Sequence, residues 1–268
     1  MDLKDVGLST FLWPGMSVGG WVELAGELGL GGVELRTDPR AAFPPDLALA
    51  ERRELRDRLA KAGLWCTVHV PIYGVNLASP FPSLAAASLG EVVEAVDLAA
   101  DVGAELVVVH PGHVDPDFLP LDGERERATQ RFRFALEVIL AWARRREVKV
   151  AVENKQRSPG WDMVHSAAEH RSVLDWFRTL GACLDFGHLH TLGGEPASYV
   201  AALGERLVHV HLHDNHGERD EHLPLGTGTV PWRVALAALA GRGYGGRIVL
   251  EIPDPAGVRK SVAVVRRR

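Results

Sequence analysis

The residues best able to do chemistry are concentrated in segment 207–229, LVHVHLHDNHGERDEHLPLGTGT, which holds five of the twelve histidines of the chain. Its first half has the alternation of a β-strand, in which aliphatic residues share one face and His209, His211 and His213 share the other. A single buried histidine is usually a hydrogen-bonded core residue. Three in alternation predict a column of imidazoles inside the fold, and this indicates metal binding.

The loop that follows this strand adds a second group of donors. Asp214 comes first, and Asp220-Glu221-His222 follows in a glycine-containing loop. An Asp-x-His pair offers a carboxylate oxygen and an imidazole nitrogen together, which borderline cations such as zinc and manganese accept as ligands. The segment therefore predicts a divalent metal cofactor.

Short β-branched segments alternate with longer amphipathic ones along the whole chain, which predicts parallel strands connected by helices. The predicted strands are Val6–Leu12, Gly32–Arg36, Trp65–Val70, Leu106–His110, Val148–Glu153, Ala182–Asp185, Leu207–His211 and Arg247–Glu251. The predicted helices are Gly20–Leu28, Asp46–Ala62, Ser83–Asp101, Glu124–Arg146, Glu169–Thr179, Pro196–Leu203, Pro231–Ala240 and Ala256–Arg267. Eight such units favour a single (β/α)8 TIM barrel, so one domain is expected over residues 1–268.

In such a barrel, residues at the C-terminal ends of the strands carry the chemistry. Seven predicted strands end in an ionisable or metal-binding side chain: Glu34, His69, His110, Glu153, Asp185, His211 and Glu251. Carboxylates that end apolar runs are costly to bury, and several that face each other repel. One glutamate alone would fit a salt-bridged barrel residue equally well. Together with Asp185 and His211, the two glutamates predict a bound cation.

Further ligands and substrate-facing residues are expected around the same rim. His69 and His110 occupy matched positions on adjacent strands and are expected as a ligand pair, while His188 is expected to join Asp220 and His222. Lys155, Arg157 and Arg219 could bind a phosphate or carboxylate of a substrate, although each alone also fits a solvated charge. His190, His213 and His216 are expected to face the substrate or support the ligands, Trp13 and Phe186 to form apolar walls, and His165, His170 and His209 to be structural.

Composition restricts the function and the compartment. The net charge of -5 argues against a protein whose main function is to bind nucleic acid, because phosphate binding is driven by clustered Lys and Arg. Cys66 and Cys183 lie in apolar runs and are expected as buried thiols. With no signal-peptide pattern and no apolar run of about 18 residues, neither export nor membrane spanning is predicted and a cytoplasmic protein is expected. A homo-oligomer is left open.

Six phrases occur in order on successive strands: HVPIYGVNLASP, VVVHPGH, VENK, LDFGH, HVHLHDNHGERDEHLPLGTG and VLEI. By these phrases the chain resembles the xylose-isomerase-like barrel superfamily over essentially its whole length. That superfamily includes sugar and sugar-phosphate isomerases and epimerases, and also the apurinic endonucleases of the endonuclease IV type. The ordered set is specific for the superfamily and much less so for the reaction.

The resemblance implies a ligand set for each branch of the superfamily. In the isomerase and epimerase pattern, Glu153, Asp185, His211 and Glu251 would hold one cation. In the three-zinc endonuclease pattern, His69 and His110 would join Glu153 on one ion, and His188, Asp220 and His222 would hold another. Two departures weaken the endonuclease reading: the first strand, VGLSTFLW, lacks a Gly-x-His-x-Ser start, and YGVN replaces a Tyr-Leu pair after His69. Thr227 stands where a Glu is common in the sugar-phosphate isomerase and epimerase members.

Three functions follow as hypotheses. The first is a metal-dependent isomerase or epimerase of a small sugar or sugar phosphate, with Glu153 and Glu251 as the acid/base pair, His188 orienting a hydroxyl, and an enediolate intermediate. The second is zinc-dependent cleavage of abasic DNA. The third is a barrel that only binds a sugar or a metal. The acidic loop after the seventh strand and the scarcity of Lys and Arg in several other loops favour the first.

Overall fold

The computed structural model describes residues 2–266 and contains a closed barrel of eight parallel strands. The strands within these residues are β1 (Val6–Ser9), β2 (Gly32–Arg36), β3 (Trp65–His69), β4 (Leu106–Val109), β5 (His113–Val114), β6 (Lys149–Glu153), β7 (Trp161–Asp162), β8 (Gly181–Asp185), β9 (Leu207–Leu212) and β10 (Arg247–Leu250). The order around the barrel is β1-β10-β9-β8-β6-β4-β3-β2, so the last strand closes against the first. The predicted (β/α)8 barrel is confirmed.

Helices follow the strands and cover the outside of the barrel. Those in the described residues are α1 (Val18–Glu27), α2 (Leu49–Ala62), α3 (Pro82–Val102), α4 (Glu124–Arg145), α5 (Ala167–Leu174), α6 (Phe186–Thr191), α7 (Pro196–Leu203), α8 (Trp232–Gly241) and α9 (Pro255–Arg266). Helices α2 and α3 end at glycines, Gly63 and Gly103, whose φ angles of 66° and 75° suit a left-handed helix end. No helix in residues 2–266 is long and apolar enough to cross a lipid bilayer.

Several element boundaries differ from the predicted ones. Strand β1 ends at Ser9, three residues before the predicted end, and α5 ends at Leu174 instead of Thr179. The predicted last helix reached Arg267, which lies outside the described residues. The short helix α6 was not predicted, because its six residues are too few to show a helical period.

A two-stranded antiparallel ribbon, also not predicted, joins two loops at the C-terminal end of the barrel. Strand β5 follows β4 and strand β7 follows β6; His113 pairs with Asp162, and Val114 pairs with Trp161. Each strand has two residues, too short for an alternating pattern to be visible in the sequence. The ribbon fixes the loops that carry His110 and Lys155.

The barrel interior has an apolar floor beneath a polar layer. Leu106, Val108, Ala151 and Cys183 form a buried cluster separate from the main core between strands and helices. Ala151 and Cys183 each precede a carboxylate, Glu153 and Asp185, by two residues on the same strand, so floor and carboxylates share the inner face. Both cysteines are buried and unbridged, as their apolar context predicted.

Candidate metal centre

Glu153, the last residue of β6, lies at the centre of the polar layer and is fully buried. Its Oε2 is 2.8 Å from His110 Nε2 and 3.3 Å from His69 Nε2. Its Oε1 is 2.8 Å from His211 Nδ1 and 3.5 Å from His188 Nδ1. Four imidazoles therefore surround one carboxylate.

A second group of donors lies around Asp220 in the loop after β9. Its Oδ2 is 3.1 Å from His222 Nε2 and 3.2 Å from His188 Nε2. Its Oδ1 is 3.3 Å from His213 Nε2, and that nitrogen is also 3.2 Å from Asp185 Oδ1. The His213 and His222 rings stack with centroids 4.2 Å apart. His188 therefore joins this group to Glu153.

Glu251, which directly follows β10, borders the same cavity. Its carboxylate is 3.6 Å from His211 Nδ1 and 3.9 Å from His222 Nδ1. Its backbone carbonyl accepts a hydrogen bond from His222 Nδ1 at 2.9 Å, so Nε2 of His222 is left facing Asp220. Among the carboxylates of the site, Glu251 has the longest contacts to imidazole nitrogens.

Local hydrogen bonds explain how the sequence LDFGH presents its two donors. The Asp185 carboxylate caps α6 by accepting the His188 backbone N–H at 2.7 Å. The Asn154 side chain accepts the Asp185 backbone N–H and donates to the Asp185 carbonyl. The Asn154 carbonyl in turn accepts a hydrogen bond from His188 Nδ1 at 2.8 Å. The ends of β6 and β8 are thereby fixed to each other.

The electrostatics of this centre are those of buried anions that require positive charge. Burial raises the pKa of Glu153, but His211 and His110 outweigh it and hold this pKa well below its usual range. Burial lowers the pKa of His188, yet Asp185 and Asp220 raise it to about 9. The same two carboxylates overcome burial and raise the pKa of His213 to about 10. Glu153 is therefore ionised at neutral pH, and the centre attracts cations.

The donor set fits a divalent ion. Asp185 Oδ2 is buried and accepts no hydrogen bond from the described residues. Donor atoms of several triads lie within 4.8 Å of one another, among them His69, His110 and Glu153; His69, His211 and Glu251; Asp185, His188 and His213; and His213, Asp220 and His222. Imidazole nitrogens and carboxylate oxygens are ligands for zinc and manganese. The arrangement has donors for more than one ion.

The structure brings all nine predicted ligand residues into this centre: His69, His110, Glu153, Asp185, His188, His211, Asp220, His222 and Glu251. The prediction that Glu34 lies at the rim is wrong. Its strand continues to Arg36, so Glu34 lies one pleat below the rim and contacts His209 and His211. His209, expected to be structural, fills this lower level.

Of the residues predicted to face the substrate, some line the cavity and others do not. Lys155 lines the cavity, with Nζ 3.1 Å from His110 Nδ1. His213 is fully buried between carboxylates instead of facing a substrate, because the inner face of β9 continues through it. Arg157 is exposed and donates to the Thr191 carbonyl.

Neither Arg219 nor Trp13 lines the cavity; both are exposed on loops, and 42% of Trp13 is accessible. Phe186 is buried in the main core, so it does not form a cavity wall. His190 bonds Thr229, and His216 bonds Glu221, both away from the cavity lining.

Arg36 is a cavity residue that the sequence reasoning missed. It is buried and lines the cavity, and its Nε and Nη2 both donate to Asp38 Oδ2. The signal was available, because Glu34 and Arg36 are two residues apart on β2 and share the inner face. Ile72 and Gln156 also line the cavity but have no chemical signature in the sequence.

Comparisons with known proteins agree with this architecture. A family model described as a xylose isomerase-like TIM barrel matches residues 22–268. The chain belongs to this family. Within the xylose isomerase-like family, Uncharacterized protein MJ1311 of Methanocaldococcus jannaschii is 31% identical over 217 residues, which cover 80% of the chain and 72% of the relative. A Probable endonuclease 4 of Mycobacterium tuberculosis is 30% identical over 223 residues, which cover 78% of the chain and 81% of that protein.

Solved structures share the same fold. A D-tagatose 3-epimerase-like protein superposes with a TM-score of 0.87 at 23% identity, over 98% of the chain and 96% of that structure. The TTHB071 protein of Thermus thermophilus, in crystals soaked with ZnCl2, superposes with a TM-score of 0.72 at 26% identity, over 98% and 99%. These likenesses establish the barrel and leave the reaction to the residues of the site.

Proposed function

We propose that this protein is a divalent-metal-dependent isomerase or epimerase of a sugar or sugar phosphate. The observation that carries the proposal is the pair of carboxylates beside His211 Nδ1, with Glu153 at 2.8 Å and Glu251 at 3.6 Å. Both line one narrow cavity with Arg36 and Lys155. The cavity therefore combines two carboxylates, donors for a metal ion and the positively charged side chains of Arg36 and Lys155. This combination suits proton transfer at the carbon next to a carbonyl group.

The resident ion would be zinc or manganese, held by Glu153, Asp185, His211 and Glu251, with a further ion accommodated around Asp220. When bound, such an ion acts as a Lewis acid that acidifies the carbon next to the substrate carbonyl. The side chains of the protein transfer the protons and orient the substrate.

Glu251 is the better placed of the two carboxylates to accept the proton from carbon. Glu153 has four imidazoles within 3.5 Å, whereas the contacts of the Glu251 carboxylate are longer. Return of this proton by Glu251 to the neighbouring carbon gives isomerisation. Delivery of a proton to the original carbon from the opposite face gives epimerisation; for this step Glu153 must first take up a proton, and Glu251 then releases the one that it accepted. His188, between Glu153 and Asp220, orients a substrate hydroxyl.

The shape of the site supports a small molecule with a reacting end and a tail. The cavity beside the donors has a volume of about 60 Å³. It adjoins a cleft of about 410 Å³, and Ile72, His110, Lys155 and Gln156 line both. The reacting carbons would occupy the cavity and the rest of the sugar the cleft, with Lys155 Nζ available to a phosphate or hydroxyl at the junction.

Solvent exchange tests the proposal. Zinc- or manganese-loaded protein, incubated in heavy water with a panel of ketoses and ketose phosphates, should incorporate deuterium next to the carbonyl of its substrate. Glu251→Gln should lower the exchange rate by about 10²–10⁴-fold, the usual contribution of a general base. A panel without any exchange, using protein shown to contain metal, would contradict the proposal.

One observation favours a second candidate, zinc-dependent cleavage of DNA at abasic sites. All nine donors of the three-zinc pattern lie in one centre, and a relative named Probable endonuclease 4 is 30% identical over 81% of its length. The net charge of -5 and the acidic residues Glu218 and Glu221 in the β9 loop weigh against a groove that follows phosphates. Nicking of a duplex with one abasic site by zinc-loaded protein, and no nicking of the intact duplex, would establish this candidate.

A further inference from the structure

A carboxylate that none of the proposed chemistry uses lies directly beneath the metal centre. Glu34 of β2 is fully buried on the inner face of the barrel. Its Oε1 is 3.0 Å from His211 Nε2. Its Oε2 is 2.8 Å from His209 Nε2 and accepts a hydrogen bond from Thr67 Oγ1 at 2.9 Å. A buried carboxylate is costly, and here His209 and Thr67 both donate to Oε2 and hold it in one orientation, with Oε1 in close contact with His211 Nε2.

The opposite nitrogen of the same His211 ring faces the metal ligands. Nδ1 is 2.8 Å from Glu153 Oε1, 3.6 Å from Glu251 Oε2 and 3.9 Å from Asp185 Oδ2. The imidazole therefore bridges a carboxylate below and a cluster of carboxylates above. A metal-binding imidazole has one proton, which must be on the nitrogen that does not bind the ion.

We propose that Glu34 is a positioning residue for the metal centre: it retains the proton of His211 on Nε2 and thereby keeps the Nδ1 lone pair directed at the ion. A carboxylate cannot donate to Nε2, so the alternative tautomer, with its proton on Nδ1, would place two acceptors against each other at 3.0 Å. Thr67 and His209 both contact the other carboxylate oxygen and prevent Glu34 from turning away. The inference rests on the metal centre of the proposed function and not on the identity of its substrate.

Zinc affinity of purified protein, measured by competition with a chromophoric chelator, tests this role. Glu34→Gln should weaken zinc binding by about 10–100-fold, the usual effect of removing a carboxylate that supports a ligating histidine. The reason is that the amide can donate to Nε2 and so stabilise the wrong tautomer. Glu105→Gln is the matched control, since it makes the same change at a carboxylate that pairs with Arg247 outside the metal centre; it should leave the zinc affinity unchanged.

Nitrogen NMR of protein labelled at histidine provides a readout that a merely structural residue would not change. In the zinc-loaded wild type, His211 should have its proton on Nε2, whereas Glu34→Gln should show a shifted or mixed tautomer. Should Glu34→Gln fail to fold, Glu34→Asp keeps the charge but withdraws it from Nε2, and it should also weaken zinc binding.

The outcomes separate this inference from the proposed function. If the wild type does not bind zinc or manganese, the proposed metal centre itself is wrong. If the wild type binds zinc and a folded Glu34→Gln or Glu34→Asp variant binds it equally well with an unchanged His211 tautomer, only the role of Glu34 is overturned.

Discussion

Arg36 donates two hydrogen bonds to one carboxylate oxygen of Asp38, from Nε at 3.0 Å and from Nη2 at 2.8 Å. The guanidinium lies over the Phe11 ring, with Cζ 4.6 Å from the ring centroid, and the other Asp38 oxygen accepts the Ile72 backbone N–H. Three successive loops therefore fix a buried cation at the wall of the cavity, where it can bind an oxygen of the substrate.

Replacement of Arg36 should affect substrate binding more than metal binding. We expect Arg36→Met to lower kcat/KM by about 10–100-fold, the effect of losing one charge-assisted hydrogen bond. Arg36→Lys should recover only part of this loss, because an ammonium cannot reproduce the planar fork. Steady-state kinetics with the substrate found by deuterium exchange would measure both variants. Unchanged kinetics in Arg36→Met would show that Arg36 serves only Asp38.

Metal binding should stabilise the folded protein measurably. At a free zinc concentration about 100 times Kd, the gain is about 2.7 kcal/mol. For a chain of this size we expect a rise in Tm of roughly 5–10 °C, reversed by a chelator. His222→Gln should reduce the rise, while His216→Gln in the same loop is the control, since His216 is exposed and bonds Glu221. Equal rises in both variants would remove His222 from the ligand set.

Gly187 is expected to be indispensable for the position of His213. A Cβ at this residue would lie 2.0 Å from His213 Cε1. Gly187→Ala should therefore cost roughly 1–3 kcal/mol of stability and weaken metal binding, because it overpacks a buried site. Gly90→Ala in α3 is the control, since nothing lies within 4 Å of its Cβ, and it should be neutral or stabilising. Urea unfolding of both variants checks the contrast, and a Gly187→Ala protein as stable as wild type would contradict it.

His170 should contribute a pH dependence to stability that is separate from the metal centre. Its Nε2 donates to the Val152 carbonyl at 2.9 Å, and burial lowers its pKa to about 4. In the unfolded chain a histidine has a pKa of about 6.5. The neutral form is favoured in the folded state, so the full stability is present above pH ~6.5 and decreases as the pH falls toward about 4.

The size of this effect follows from the difference between the two pKa values and reaches about 3 kcal/mol. Urea unfolding of wild type and His170→Gln between pH 7.5 and 4.5 would measure it. The stability advantage of the wild type should shrink as the pH is lowered. An advantage that is constant over this range would contradict the assigned pKa.

The sequence predicted the barrel because short β-branched segments alternate with longer amphipathic segments along the whole chain. The position of Glu153, Asp185 and His211 at the ends of their predicted strands was enough to place them together at one end of the barrel. The choice of the rim residue on the second strand was wrong. Glu34 was taken as that residue although the predicted strand, like the observed one, runs to Arg36, which lies two residues further along on the same face.

The conformation of the loops was the second feature that the sequence did not predict. The positions of Arg157 and Lys155 look equivalent in VENKQRSPGWD, yet only Lys155 turns into the cavity, since Thr191 holds the Arg157 backbone N–H and guanidinium. These contacts join residues more than thirty positions apart, so local spacing does not contain them. The burial of His213 between carboxylates was not visible for a related reason, because Asp185 at the end of β8 and Asp220 further along the β9 loop are distant from it in the sequence.

The antiparallel ribbon of β5 and β7 has a consequence for how the barrel can diversify. Two βα loops that are hydrogen-bonded to each other cannot change length independently, because an insertion in one would break the pairing of His113 with Asp162. Descendants of this chain that acquire new substrates would have to remodel both loops in concert. Otherwise they would keep these two loops unchanged and vary the loops on the opposite side of the C-terminal end of the barrel.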